Sequence, residues 1–227
     1  ALADRMDMLS VAFSLKMIPS GSADPYALRR MAQGVVQIVL GKQLPLGWEE
    51  LSSLSVQILR DQQEFTNEPE ILEKQLVDFL NQRERWYLQE KGFRHDLIDA
   101  VLKPTSGTPL NRLNFASTLS EDLNLPEFKK SVEAVVRAIN ITNKYAEESQ
   151  AAKLKEGSLT HEAELALYQA LEAMALDSES SPQQYLKTLY QLESSITAFF
   201  DGVMVMDENP ILMLSLIHIS EPTRLSA

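Results

Sequence analysis

A chain of 227 residues that is 44% hydrophobic can bury one large core or two small ones, and its make-up is that of an ordinary globular protein. A formal net charge of -11 excludes a protein that coats nucleic acid non-specifically, because neutralising phosphates takes clustered Lys and Arg; any RNA contact must be local. No cysteine is present, which excludes disulfides and thiolate metal sites; His95, His161 and His218 are far apart, and the eight glycines form no phosphate-cradling loop, so neither a metal nor ATP is expected on this chain. The first residues, with Asp4, Arg5 and Asp7, do not read as a signal peptide, and the longest apolar run, Ile211 to Ile219, is too short to cross a membrane.

Residues 1 to about 16 read as a helix with Leu2, Met6, Leu9 and Phe13 on one face, cut off at its start. Asp24 is placed to cap a second helix with Pro25 as its first residue, Leu28, Met31, Val35, Ile38 and Val39 inward, and an end near Gly41. After a turn at Pro45 a third helix is predicted from Trp48 to Gln62, burying Leu51, Leu54, Ile58 and Leu59. A long helix follows from about Glu70 to Lys91, with Leu72, Leu76, Phe79, Leu80, Arg83, Tyr87 and Glu90 in register and Gly92 as the left-handed residue beyond it. A short helix, Asp96 to Lys103, comes next.

The segment Lys103 to Pro109 has the composition of a connector. Beyond it four helices are predicted. They run from Leu110 to Asp122, from Pro126 to about Glu148 with the stripe Phe128, Val132, Val135 and Ile139, from Thr160 through Leu165, Tyr168, Leu171 and Ala175, and from Pro182, capped by Ser181, through Leu186, Leu189, Ile196 and Phe199. Strand signals are nearly absent, so the fold class is all-α.

Two blocks carry a family resemblance. The first is Leu2-Ala3-Asp4-Arg5-Met6-Asp7-Met8-Leu9, then Phe13, Pro19, Gly21 and Asp24-Pro25-Tyr26-Ala27-Leu28-Arg29-Arg30; the second is Phe79 to Arg83, Arg85-Trp86-Tyr87-Leu88, Glu90 and Gly92-Phe93. Together they resemble the beta subunit of the bacterial two-subunit glycyl-tRNA synthetase, with Ser14 and Lys16 standing where that family usually has glycine. The later residues Arg112-Leu113, Phe115, Arg137, Asn140-Ile141, Glu164, Ala166-Leu167-Tyr168 and Ala198 to Met206 resemble its anticodon-binding bundle, a domain similar to the one in arginyl-tRNA synthetase.

The resemblance implies the end of a truncated HD-like domain at residues 1–22, a helical linker region at 23–104 and the anticodon-binding helical domain at 105–210. Residues 211–227 depart from the family and read as a non-native tail. It further implies glycine–tRNA ligase activity for the holoenzyme, with ATP and magnesium used by an alpha subunit or fused alpha region, no cofactor on this chain and no activity from it alone. The expected partners are tRNA(Gly) and the alpha subunit or region, as two copies of each or a fused dimer, without a membrane. The expected location is the bacterial cytoplasm or a plastid.

No catalytic constellation can be assembled. A binding strip can: Lys130, Arg137 and Lys144 recur every seven residues with Asn140 beside them, roughly opposite the apolar stripe. Glycine codons begin with two guanines, so the anticodon presents two cytosines, whose N4 amino donors want an acceptor. Arg112, Arg137 and Lys144 are therefore assigned to loop phosphates, and Asn140 and Asp201 to base edges. Arg29, Arg30, Arg83 and Arg85 are further RNA candidates, while Trp86 and Tyr87 fit either base stacking or packing between helices. The rival reading is a non-catalytic helical scaffold that touches only protein, which would present a large exposed apolar patch. A remnant HD-type hydrolase would need a His/Asp metal cluster that the sequence does not contain.

Overall fold

The computed structural model describes residues 1–21, 23–62, 68–103, 107–149, 162–172 and 181–202; for 141–149 only the helical backbone is described. Nine helices run through the described residues, with no strand beyond an isolated Ser20–Ala23 bridge. Two compact units divide the chain, Ala1–Ser120 and Glu121–Ala227.

In the first unit α1 (Leu2–Ser14), α2 (Leu28–Gly41), α3 (Trp48–Gln62) and α4 (Pro69–Glu90) enclose one core, and α5 (His95–Leu102) packs on α4. Leu9, Phe13, Leu28, Val35, Val39, Trp48, Leu59, Leu72, Leu76 and Leu80 are buried there, and the Phe13 and Phe79 rings meet at 5.1 Å. Each such aliphatic side chain contributes roughly 1.5–3 kcal/mol through loss of apolar surface to water.

Local chemistry departs from expectation at three helix boundaries. Asp24 does cap α2, but from further upstream: residues 24–27 form a turn closed by the Ala27 N–H on the Asp24 carbonyl, and the Asp24 carboxylate accepts from the N–H groups of Leu28 (2.8 Å) and Arg29 (3.1 Å). Pro25 therefore lies in the turn and not at the first helical position. Gly41 is the last residue of α2, and the left-handed position falls on Gln43 (φ 53). The same closing turn ends α1, where Lys16 (φ 58) donates to the Phe13 carbonyl and Met17 to that of Ala12. Among the described residues, only α4 closes through a left-handed glycine, Gly92 at φ 86. At Lys16 the backbone takes the left-handed conformation under a side chain that disfavours it.

Two inward faces are also corrected. On α3 the buried residues are Trp48, Leu51, Ser52, Val56 and Leu59, whereas Leu54 and Ile58 are 54% and 43% exposed and line a groove with Leu2, Ala3 and Met6 of α1.

The second unit packs α9 (Pro182–Gly202) against both α7 (Pro126–Ser149) and α8 (Glu162–Glu172). Its core holds Ala138, Leu167, Leu192, Ile196, Phe199 and Phe200. The buried seam of α7 passes through Ser131, Ala134, Val135 and Ala138, the last three packed in the core shared with α9, and Val132 of the expected stripe is exposed. Pro182 opens α9 inside a reciprocal cap: the Gln184 N–H donates to Ser181 Oγ and the Ser181 N–H to Gln184 Oε1. The remaining helix, α6 (Pro109–Asp122), starts in the first unit and ends in the second. The Tyr190 hydroxyl of α9 donates to the Asp122 carboxylate at its end. The phenol is pushed up to about 12, first by burial and then by Asp122.

Candidate nucleic-acid interface

Arg137 is exposed on α7 beside the α9 contact, and its guanidinium carbon lies 4.2 Å from the centre of the Phe200 ring. Phe200 is itself buried and edge-on to Phe199, with ring centres 5.5 Å apart. The ring thus fixes a flat cation at the surface, an attraction of about 0.5–1 kcal/mol at an exposed site. Among the described residues Arg137 makes no ion pair with a carboxylate. Asn140, three residues on and so on the same side of α7, is exposed, as are Lys130 and Asp201, the residue after Phe200. Arg137 accordingly flanks the buried seam and does not lie opposite it. The Lys144 side chain lies outside the described residues.

This arrangement offers a planar guanidinium for a phosphate or an unstacked base, an amide that both donates and accepts, and a carboxylate acceptor. It contains no nucleophile and base pair. Among the described residues, no three His, Cys, Asp or Glu side chains converge on a point that could hold a metal.

Arg112 is elsewhere, and its assignment to loop phosphates is corrected. It is only 7% exposed and donates through Nε and Nη2 to the two oxygens of Glu84 at 2.8 and 2.7 Å, and through Nη1 to the Gly107 carbonyl. Glu84 is fully buried and also accepts from Trp48 Nε1 at 2.6 Å. Each guanidinium nitrogen of Arg112 thus donates inside the first unit, fastening the start of α6 to α3 and α4. The sequence did carry the signal for this. Glu84 falls in the four-residue series Leu72, Leu76, Leu80, Glu84, Leu88, and a carboxylate inside a buried stripe requires a buried cation and further donors.

The other arginines also differ among themselves. Arg85 forms an exposed ion pair with Asp99. Arg29 donates to the carbonyls of Gly21 and Ala23, and Arg30 is exposed. Arg83 lies over the Phe79 ring, and its Nε is buried without a partner among the described residues. Trp86 is exposed, while Tyr87 packs against the first core.

Residues 1–103 match the family model described as glycyl-tRNA synthetase beta subunit, and residues 132–224 match the DALR anticodon binding domain. The glycine–tRNA ligase beta subunit of Bacillus subtilis is 34% identical over 217 residues, 93% of this chain and 30% of the relative. That of Halalkalibacterium halodurans is 36% identical over 227 residues, 96% of this chain and 32% of the relative, and that of Nitrosomonas eutropha is 33% identical over 226 residues, 93% of this chain and 32% of the relative. The chain belongs to the glycyl-tRNA synthetase beta subunit family. It spans about a third of the length of the relatives it matches. The first match lies inside the first compact unit and the second inside the second, leaving Arg112 and all of α6 between them. The second match also runs into residues 211–224, part of the segment set apart as a tail, which lies outside the described residues.

Proposed function

We propose that this chain supplies tRNA grip and anticodon recognition to glycine–tRNA ligase, which joins glycine to tRNA(Gly) at the expense of ATP. Activation and transfer would belong to an alpha subunit or fused alpha region, the site of ATP and magnesium, in an assembly with two copies of each. The family membership supports this division, and the candidate residues offer groups for binding rather than a nucleophile, base and oxyanion-donor set. The chain alone would not aminoacylate, and its place of work would be the bacterial cytoplasm.

The observation that carries the reading is Arg137 held over the Phe200 ring, with Asn140 exposed one turn along α7 and Asp201 exposed next to Phe200 in sequence, in the unit that matches an anticodon binding domain. Arg137 would meet a loop phosphate or stack on a base, and Lys144 would meet a neighbouring phosphate. Asn140 and Asp201 would take the cytosine edges, Asp201 as acceptor for an N4 amino group. A few contacts suffice on an acidic protein, since one stacked base is worth roughly 1–3 kcal/mol. Binding energy from the anticodon would then position the distant acceptor end for chemistry done by the partner.

The test is binding of glycine tRNA, with its anticodon cytosines intact or replaced, at two salt concentrations. Preference for the intact anticodon that persists at the higher salt is the expected result. Equal affinity for both, falling together with salt, would mean the face does not read bases.

A further inference from the structure

Arg29, Gln33 and Gln37 recur every four residues and so share one side of α2; Arg83, Tyr87 and Lys91 do the same along α4 and its cap. The two helices pack against each other. Arg29 lies near enough for its charge to act on Arg83, and eight residues further along both helices Gln37 lines one open cavity of about 370 Å³ with Tyr87, Glu90 and Lys91. The helices therefore run parallel, with these two rows facing one another over about 12 Å.

The row is charged in an unbalanced way. Burial, and after it the neighbouring Arg29, holds the Arg83 guanidinium below its ordinary value, with Asp24 opposing. Asp24, which also accepts from two α2 N–H groups, and Glu90 at the far end leave the row with three cations against two carboxylates. Among the described residues none of Arg29, Arg83 and Lys91 is in an ion pair, whereas Arg85, Arg94 and Arg112 are. Arg83 Nε, and both polar atoms of the Gln33 amide between the two ends, are buried without a hydrogen-bond partner among the described residues. Lys91 Nζ rests 5.4 Å from the Tyr87 ring, which steers it along the row. Like charges brought together with unmet donors form a place that an anion completes.

We infer that the α2–α4 row of Arg29, Gln33, Arg83 and Lys91 is a second phosphate-binding strip, which takes successive backbone phosphates of an RNA strand without reading its bases. It rests on the proposal that the chain binds tRNA, and places a sequence-independent grip in the first unit, apart from the anticodon face. Arg29 and Arg83 hold one phosphate and Lys91 another, with the Gln33 amide buried between them. Arg85, paired with Asp99, is left out.

The test is to titrate the chain with glycine tRNA, bearing the intact or the cytosine-replaced anticodon, across a salt series. Lys91→Gln, Arg83→Gln and the double substitution are compared with the unchanged chain. One phosphate contact is worth about fivefold in affinity at 0.1 M salt and about 0.7 in the logarithmic salt slope. The double substitution should weaken both tRNAs equally, by about ten- to thirtyfold, and flatten the slope by about one to one and a half. Lys91 is exposed, so Lys91→Gln tests the strip even if Arg83→Gln disturbs packing. An unchanged slope and affinity for Lys91→Gln and the double variant, with the anticodon preference intact, would overturn the strip while leaving the proposed function standing. No binding of either tRNA by the unchanged chain would overturn both.

Discussion

The start of α6 and the α7–α9 face each present an arginine that the sequence marks as an RNA contact, and the protein uses them in opposite ways. Arg112 is turned inward onto a buried carboxylate that also takes the Trp48 indole. Arg137 is turned outward onto a ring. The difference lies in what stands opposite. A carboxylate forced into a core stripe consumes a cation, because an unpaired buried charge costs several kcal/mol, whereas an aromatic face orients a cation and leaves its hydrogen-bonding rim in water. Arg112 therefore holds the fold, and Arg137 is available to a ligand.

The largest effect that sharpens this contrast is expected from Arg112→Ala. Leaving Glu84 buried and uncompensated should cost about 3–5 kcal/mol, read as a fall in the denaturation midpoint of the first unit. Arg137→Ala should cost about 1 kcal/mol or less in the same experiment and yet reduce tRNA affinity. If the two substitutions lowered stability equally, the division between structural and ligand-facing arginine would break.

Smaller effects separate the units further. Lys16→Gly should stabilise the first unit by about 1 kcal/mol by relieving the left-handed strain at φ 58, with no change in tRNA binding. Ser181→Ala should cost about 1 kcal/mol in the second unit through loss of the α9 cap, seen as an earlier thermal transition.

The smallest is a pH effect. Tyr190 ionises later in the folded state than unfolded, so its contribution to stability is complete below about pH 10 and disappears as pH rises towards about 12. Ultraviolet titration should show one late phenolate that is missing from Tyr190→Phe.

The helices were legible because their signals are local. Trp48 and Gln62 bound α3 where periodicity puts them, Pro126 and Pro182 open α7 and α9, and Gly92 closes α4. What the pattern could not fix was rotation about a helix axis. Leu54 and Ile58 recur at helical spacing as Val56 and Leu59 do, and the packing of α3 against α1 and α4 selects between the two faces. On α7 the small residues Ala134 and Ala138 pack in the core shared with α9, which no hydrophobicity pattern reveals. The same rotation separates an Arg137 on the far side of α7 from the one observed at the edge of its contact with α9. Arg112 reads as a surface cation in the sequence because its partner, Glu84, is 28 residues away, although the break in the leucine series announces that some cation is needed.

The central claim is that the second unit reads the anticodon through the Arg137–Phe200 shelf. Its most direct test is the ratio of affinities for glycine tRNA with intact and replaced anticodon cytosines, measured at one salt concentration for the unchanged chain and for Arg137→Gln. The account predicts a preference of about tenfold or more, on the order of 1–3 kcal/mol, that collapses towards unity in Arg137→Gln while the fold is kept. A preference of the same size in both proteins would contradict it.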